Sequence, residues 1–218
     1  MIDFAAARLT MVESQLRTNK VTDQAVLDAF LAVPRERFVP PALASTAYVD
    51  DDLPLGGGRF LMQPIVLARL IQLARIGPDD AVLVIGAGSG YGTAIAARLA
   101  QRVVGVECDA GLAASAGARL AELGRGNAAV VEGPLAQGHA ARAPYHVVLF
   151  EGRVGHIPDA IAQQVAEGGR IVAVLGDAGG MGRAVLMTRS GGVLSRRPVF
   201  DAAVPALPGL ERAPSFVF

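Results

Sequence analysis

The sequence predicts an α/β fold on a mostly parallel, doubly wound sheet, with helices ahead of it and an antiparallel hairpin behind it. Three observations carry that reading. A β-compatible apolar run, Ala81–Ile85, feeds straight into the glycine cluster Gly86–Gly92 and then into a helical stretch, Thr93–Ala100. Downstream, short apolar runs alternate with helix-length segments, the rhythm of buried parallel strands and their crossovers. Near the end, Ala184–Thr188 and Val193–Val199 flank Arg189-Ser190-Gly191-Gly192, which reads as a β-hairpin.

Composition supports a well-filled core. The 218 residues are 52% hydrophobic and 18% charged, outside the disordered range. We read one domain, 1–218, with 1–78 a helical and loop extension and 79–218 the sheet core. Twenty basic residues balance twenty acidic ones, so no strong field toward nucleic acid or an anionic membrane is expected. A lone cysteine, Cys108, allows no intrachain disulfide and fits a reducing compartment. His139, His146 and His156 are scattered, without metal-ligand spacing. The charged N-terminus lacks a signal-type apolar run, and no window holds the roughly 18 apolar residues of a membrane span. A cytoplasmic protein is expected.

The elements follow in order. Phe4, Leu9, Val12 and Leu16 mark a helix over Asp3–Arg17 with Asp3 as N-cap, and Asp23–Leu31 is a second helix. The prolines of Val33–Pro41 predict an extended connector, with Arg35, Glu36 and Arg37 as a solvated charge run. Leu53–Pro64 carries Gly56–Gly58 between two prolines and reads as a loop near a ligand or a flexible connector. Pro64 opens a helix over Ile65–Arg75. After the glycine cluster come strand Arg102–Glu107, helix Ala110–Leu123, and strands Ala128–Glu132 and Tyr145–Glu151. Helix Ile157–Ala166, strand Arg170–Leu175, the hairpin and a short strand at Ser215–Phe218 complete the chain.

The chemistry gathers at the strand ends. Gly86-Ala87-Gly88-Ser89-Gly90 is G-x-G-x-G, the form that holds S-adenosylmethionine in many methyltransferases. A dinucleotide fingerprint would want glycine where Tyr91 stands, and Tyr91 is expected beside the cofactor. The chain's single lysine, Lys20, is far from this loop, which disfavours phosphoryl transfer, and Ser89 lacks the spacing of a hydrolase elbow. Glu107 ends the next strand, where a carboxylate can accept both hydrogen bonds of a ribose diol. Cys108 is either at the adenine edge or, more simply, a small buried residue. Gly133 and Pro134 follow the third strand, and Pro134 can pack against a flat base. Glu151 and Arg153 follow the fourth, where they could orient a substrate or pair with each other. His146, inside that strand, reads as structural.

The segments Met11–Arg17, Val33–Pro40, Ala47–Gly56, Val82–Ala94, Val103–Glu107, Asn127–Gly138, Ile157–Ile161 and Glu167–Val174 carry a family resemblance. Over nearly its whole length the chain resembles the protein-L-isoaspartate O-methyltransferases. The resemblance implies a Rossmann-like class I methyltransferase fold, S-adenosylmethionine as donor, and methylation of the free carboxylate of isoaspartyl residues in a protein or peptide. It places Leu61 and Met62 at the cofactor beside the loop residues, Glu107, Cys108, Gly133, Pro134 and Glu151. The chain departs from the family at four places. The threonine-isoleucine-serine segment falls on Phe60-Leu61-Met62, so the active-site serine is Met62. The first-strand acid falls on Val84, an aspartate on Pro134, and a threonine-alanine pair on Glu151-Gly152. These substitutions keep a second reading open: a cofactor-binding protein with another acceptor or a regulatory role.

Overall fold

The computed structural model describes residues 2–177 and 180–211. The strand expected at Ser215–Phe218 lies outside them. Seven strands form one sheet in the order β5-β4-β3-β6-β7-β8-β9. They are β3 (Ala81–Ile85), β4 (Arg102–Glu107), β5 (Ala128–Glu132), β6 (Tyr145–Val154), β7 (Val165–Leu175), β8 (Gly182–Ser190) and β9 (Val193–Ala202). The first five pair in parallel, while β8 and β9 join antiparallel. This is the expected Rossmann-like sheet with its C-terminal hairpin. The outermost strand, β9, carries Arg196, Arg197 and Pro198, and its pairing with β8 is irregular between Ala184 and Val185.

The central strands are buried on both faces, which is why they read as unbroken apolar runs. Val82, Val84, Val147 and Leu149 point into a core shared with the N-terminal helices, where Leu27, Phe30, Leu67 and Ile71 meet them. Leu83, Ile85, Val148 and Phe150 face the opposite core with Ile161, Leu207 and Leu210.

The helices are α1 (Phe4–Thr10), α2 (Gln24–Ala32), α3 (Pro64–Ala74), α4 (Tyr91–Ala96), α5 (Ala110–Glu122) and α6 (Asp159–Ala162). Asp3, Asp23 and Asp109 cap α1, α2 and α5 through their carboxylates. The first predicted helix is α1 continued by a π-helical turn, Met11–Leu16, and a 3-10 turn to Asn19.

Three local expectations are corrected. Residues 33–41 are not an extended connector: Arg35–Phe38 and Pro41–Thr46 coil into 3-10 helices, and Arg35 is buried rather than solvated. Arg35 Nε donates to Ala47 O at 2.7 Å and Nη2 to Met62 O at 2.9 Å, so its guanidinium joins the end of the second turn to the segment between β2 and α3. Residues 53–61 are neither loose loop nor connector but a separate hairpin, β1 (Leu53–Gly56) with β2 (Arg59–Leu61), turning on Gly57 and Gly58. The helix expected over 157–166 shrinks to α6, because Val165 already pairs with Tyr145 and Tyr145 N donates to Gln164 O at 2.8 Å.

Candidate cofactor site

Strands β3 and β6 are neighbours, yet the chain leaves β3 toward β4 on one side and reaches β7 from β6 on the other. Such a reversal opens a crevice at the carboxyl ends of the strands. The glycine loop lies there. Gly86, Gly88 and Gly90 hold φ of 77°, 54° and 91°, a left-handed backbone that a side chain would strain. The loop is tied to β4: Gly86 N and Ala87 N donate to Val106 O at 2.9 and 3.0 Å. Gly88 N donates to Glu107 Oε2 at 2.6 Å.

Glu107 is thus at the loop, as its position at the end of β4 predicts, and it is completely buried. Its partner was not foreseen. Arg59, on β2, lays its guanidinium fork against the carboxylate, Nε to Oε1 and Nη2 to Oε2, each at 3.0 Å. Arg59 Nη2 also donates to Gly86 O at 3.0 Å. Cys108 N and Asp109 N donate to Oε1 at 2.9 and 3.1 Å. Burial pushes the Glu107 carboxyl up, but Arg59 and the backbone N–H groups outweigh it and hold its pKa below the ordinary value. The readable signal was the two-residue period of a strand, which puts Arg59 on the buried side with Leu61.

Glu151 is buried within β6, and among the described residues its Oε1 has no hydrogen-bond partner. A pairing with Arg153 is not formed; Arg153 Nη1 donates to Gly180 O at 2.6 Å instead. The Glu151 carboxyl sits against the first turn of α4, where a Cβ on Gly92 would lie 2.5 Å from its Cδ. Burial pushes its pKa up to about 8; nearby Arg59 opposes that and Glu107 adds to it.

The other predicted residues divide. Leu61 and Met62 are buried, and Met62 shares with Arg59, Phe60 and Glu151 a small cavity of about 10 Å³. Ser89 is buried with an unpartnered hydroxyl. Tyr91 packs its ring edge-on to Phe30 and Phe38, at 5.9 and 5.4 Å, beneath the Arg35 guanidinium. Cys108 is exposed and not a small buried residue, because it leaves the sheet just after Glu107. Gly133 N donates to Glu107 O at 3.0 Å, and Pro134 is exposed nearby. His146 does act structurally, its Nδ1 accepting from Ala81 N at 2.9 Å.

The chemistry of this crevice suits a ribose-bearing methionine cofactor: a glycine loop at a helix N-terminus, with a carboxylate beside it. The space does not. Leu207 Cδ2 lies 2.5 Å from where a Gly86 Cβ would be, and Leu55 Cδ1 lies 3.1 Å from that of Gly88. About 10 Å³ remains beside Arg59, room for a single water and far short of the roughly 300 Å³ of a small-molecule pocket. In this arrangement Leu55, Arg59 and Leu207 lie over the loop and its acid. A larger cavity, about 750 Å³, opens elsewhere between Lys20, Arg69, Gln72, Arg170 and Arg197, and none of the predicted site residues lines it.

The family model described as Protein-L-isoaspartate(D-aspartate) O-methyltransferase matches residues 7–201. A protein-L-isoaspartate O-methyltransferase of Methylorubrum extorquens (strain PA1) is 42% identical over 181 residues, covering 82% of this chain and 78% of that protein. One from Koribacter versatilis is 40% identical over 173 residues, covering 79% and 78%. A solved protein-L-isoaspartate O-methyltransferase superposes with a TM-score of 0.82 at 25% identity, covering 94% of this chain and 67% of that one. The fold is also that of a Plasmodium falciparum beta-aspartate methyltransferase structure in complex with S-adenosyl-L-homocysteine (TM-score 0.79, 16% identity, 95% and 99% covered).

Proposed function

The chain belongs to the protein-L-isoaspartate O-methyltransferase family, and from that premise we propose that it is an S-adenosylmethionine-dependent methyltransferase acting on the free carboxylate of isoaspartyl residues in proteins. The observation that carries the reading is the coupling of the glycine loop to Glu107 across β3 and β4, closed by the Gly88 N–H at 2.6 Å. A carboxylate beside the glycine loop at this strand end is what a ribose needs and a plain structural turn does not.

The acceptor chemistry asks little of this chain. A free carboxylate is deprotonated at neutral pH, so no side chain has to remove a proton. The protein's task is to hold the acceptor in line and keep water out. An ionised Glu151 would repel a carboxylate acceptor. With its pKa pushed up to about 8, Glu151 is mostly protonated at pH 7 and presents no such charge. Met62 supplies no hydroxyl where the family serine would stand, so acceptor positioning rests on other groups. A cytoplasmic location fits the single cysteine. Among the described residues no helix is long and apolar enough to cross a membrane.

Two measurements test the proposal: calorimetry with S-adenosylhomocysteine up to millimolar concentration, and methyl transfer to an isoaspartyl peptide with Met62→Ser alongside. Binding and transfer are expected, with transfer faster in Met62→Ser. Absence of binding in calorimetry would sink the cofactor assignment. Binding with both proteins inert would favour the second reading, a changed acceptor, which the exchange of serine for Met62 supports.

A further inference from the structure

Glu107 has no acceptor capacity left. Its two oxygens take five N–H groups, from Arg59 twice and from Gly88, Cys108 and Asp109 once each. A carboxylate offers roughly four lone-pair sites, so a diol finds none free while Arg59 is in place. Arg59 is 3% exposed and reaches the acid from outside the main sheet, since among the described residues β1 and β2 pair only with each other. That hairpin can withdraw without breaking a single rung of the seven-stranded sheet. Its Leu55 also fills the space over Gly88. One movement would therefore uncover both the acid and part of the loop.

We infer that Arg59 is an intramolecular ligand of the cofactor site and a determinant of its selectivity: its guanidinium holds Glu107 in place of a ribose, and a nucleoside cofactor binds only by displacing it. The inference rests on the reading of Glu107 as the ribose acid. Apparent affinity then falls by the fraction of molecules in which the hairpin has withdrawn. The cofactor has to offer Glu107 more than the fork of Arg59 does, which disfavours ligands that bind the loop alone.

The test is S-adenosylhomocysteine binding by calorimetry to the wild type, Arg59→Gln and Arg59→Lys. It is paired with nuclear magnetic resonance of the wild-type Arg59 Nε–H, which the ion pair shields from exchange. The expected result is binding at least about tenfold tighter in Arg59→Gln than in the wild type. The wild-type Nε–H should also shift and exchange faster as ligand is added. Equal or weaker binding by folded Arg59→Gln would overturn the inference. So would a bound wild type whose Arg59 Nε–H is unchanged, because ligand and ion pair would then coexist. If Arg59→Gln does not fold, the wild-type resonance decides. If no protein binds while Nε–H stays shielded, the cofactor assignment fails and takes the inference with it. That outcome is distinct from binding that ignores Arg59.

Discussion

Replacing Glu151 by glutamine removes a buried carboxyl whose proton is held by burial. A carboxyl with pKa raised from 4.5 to about 8 binds its proton more tightly folded than unfolded. Between those values the native state carries more protons, so the stability that Glu151 contributes is complete at low pH and declines as pH rises toward 8. Each tenfold change in proton affinity is worth about 1.4 kcal/mol, so the full decline amounts to about 4–5 kcal/mol. Glutamine is close in shape and does not titrate. Its burial cost is the same at every pH, so the difference between the two proteins isolates the carboxyl. Urea unfolding of both at about pH 5 and pH 8.5 measures it. Glu151→Gln should gain on the wild type by several kcal/mol at the higher pH. A difference that stays flat across that interval would refute the reasoning, because Glu151 would then be ionised and accommodated throughout.

Three further outcomes follow from the same contacts. Gly92→Ala puts a methyl against the Glu151 carboxyl and should cost about 1–3 kcal/mol by urea unfolding, with partial recovery when Glu151→Ala is added. Arg35→Leu leaves the carbonyls of Ala47 and Met62 buried without donors and should lower stability by about 2–4 kcal/mol, seen as a lower Tm. Asp23→Ala removes the carboxylate that caps α2 at Ala25 and Val26 and should cost about 1 kcal/mol, with loss of amide protection in the first turn of that helix.

The central strands were legible because β3, β4 and β6 are buried on both faces, and double burial writes continuous apolar runs. The loop was legible because its left-handed backbone demands glycine. Glu107 could be placed from its position at the end of β4. The side chains that close the crevice could not be placed that way. Arg59 is 48 residues from Glu107, and Leu207 comes from beyond β9 to pack on Gly86 and Gly152. Nothing local to either residue states that distance. Arg35 looked solvated because charge runs usually are, yet the chain folds so that its guanidinium meets the carbonyls of Ala47 and Met62, 12 and 27 residues away. The contraction of the helix at 157–166 has a similar cause: a pairing between Val165 and Tyr145 overrides local preference.

Among the described residues strand β9 has no neighbour on its outer side, and an open sheet edge is a template on which another chain can add. Here that edge is blunted. Arg196 and Arg197 carry like charges into any approaching strand, Pro198 has no N–H to offer, and the irregular pairing beside it bends the edge away from straight. A protein with 52% hydrophobic residues and no net charge lacks long-range repulsion between its copies. At this edge of the sheet, resistance to edge-to-edge aggregation is therefore concentrated in these three consecutive residues.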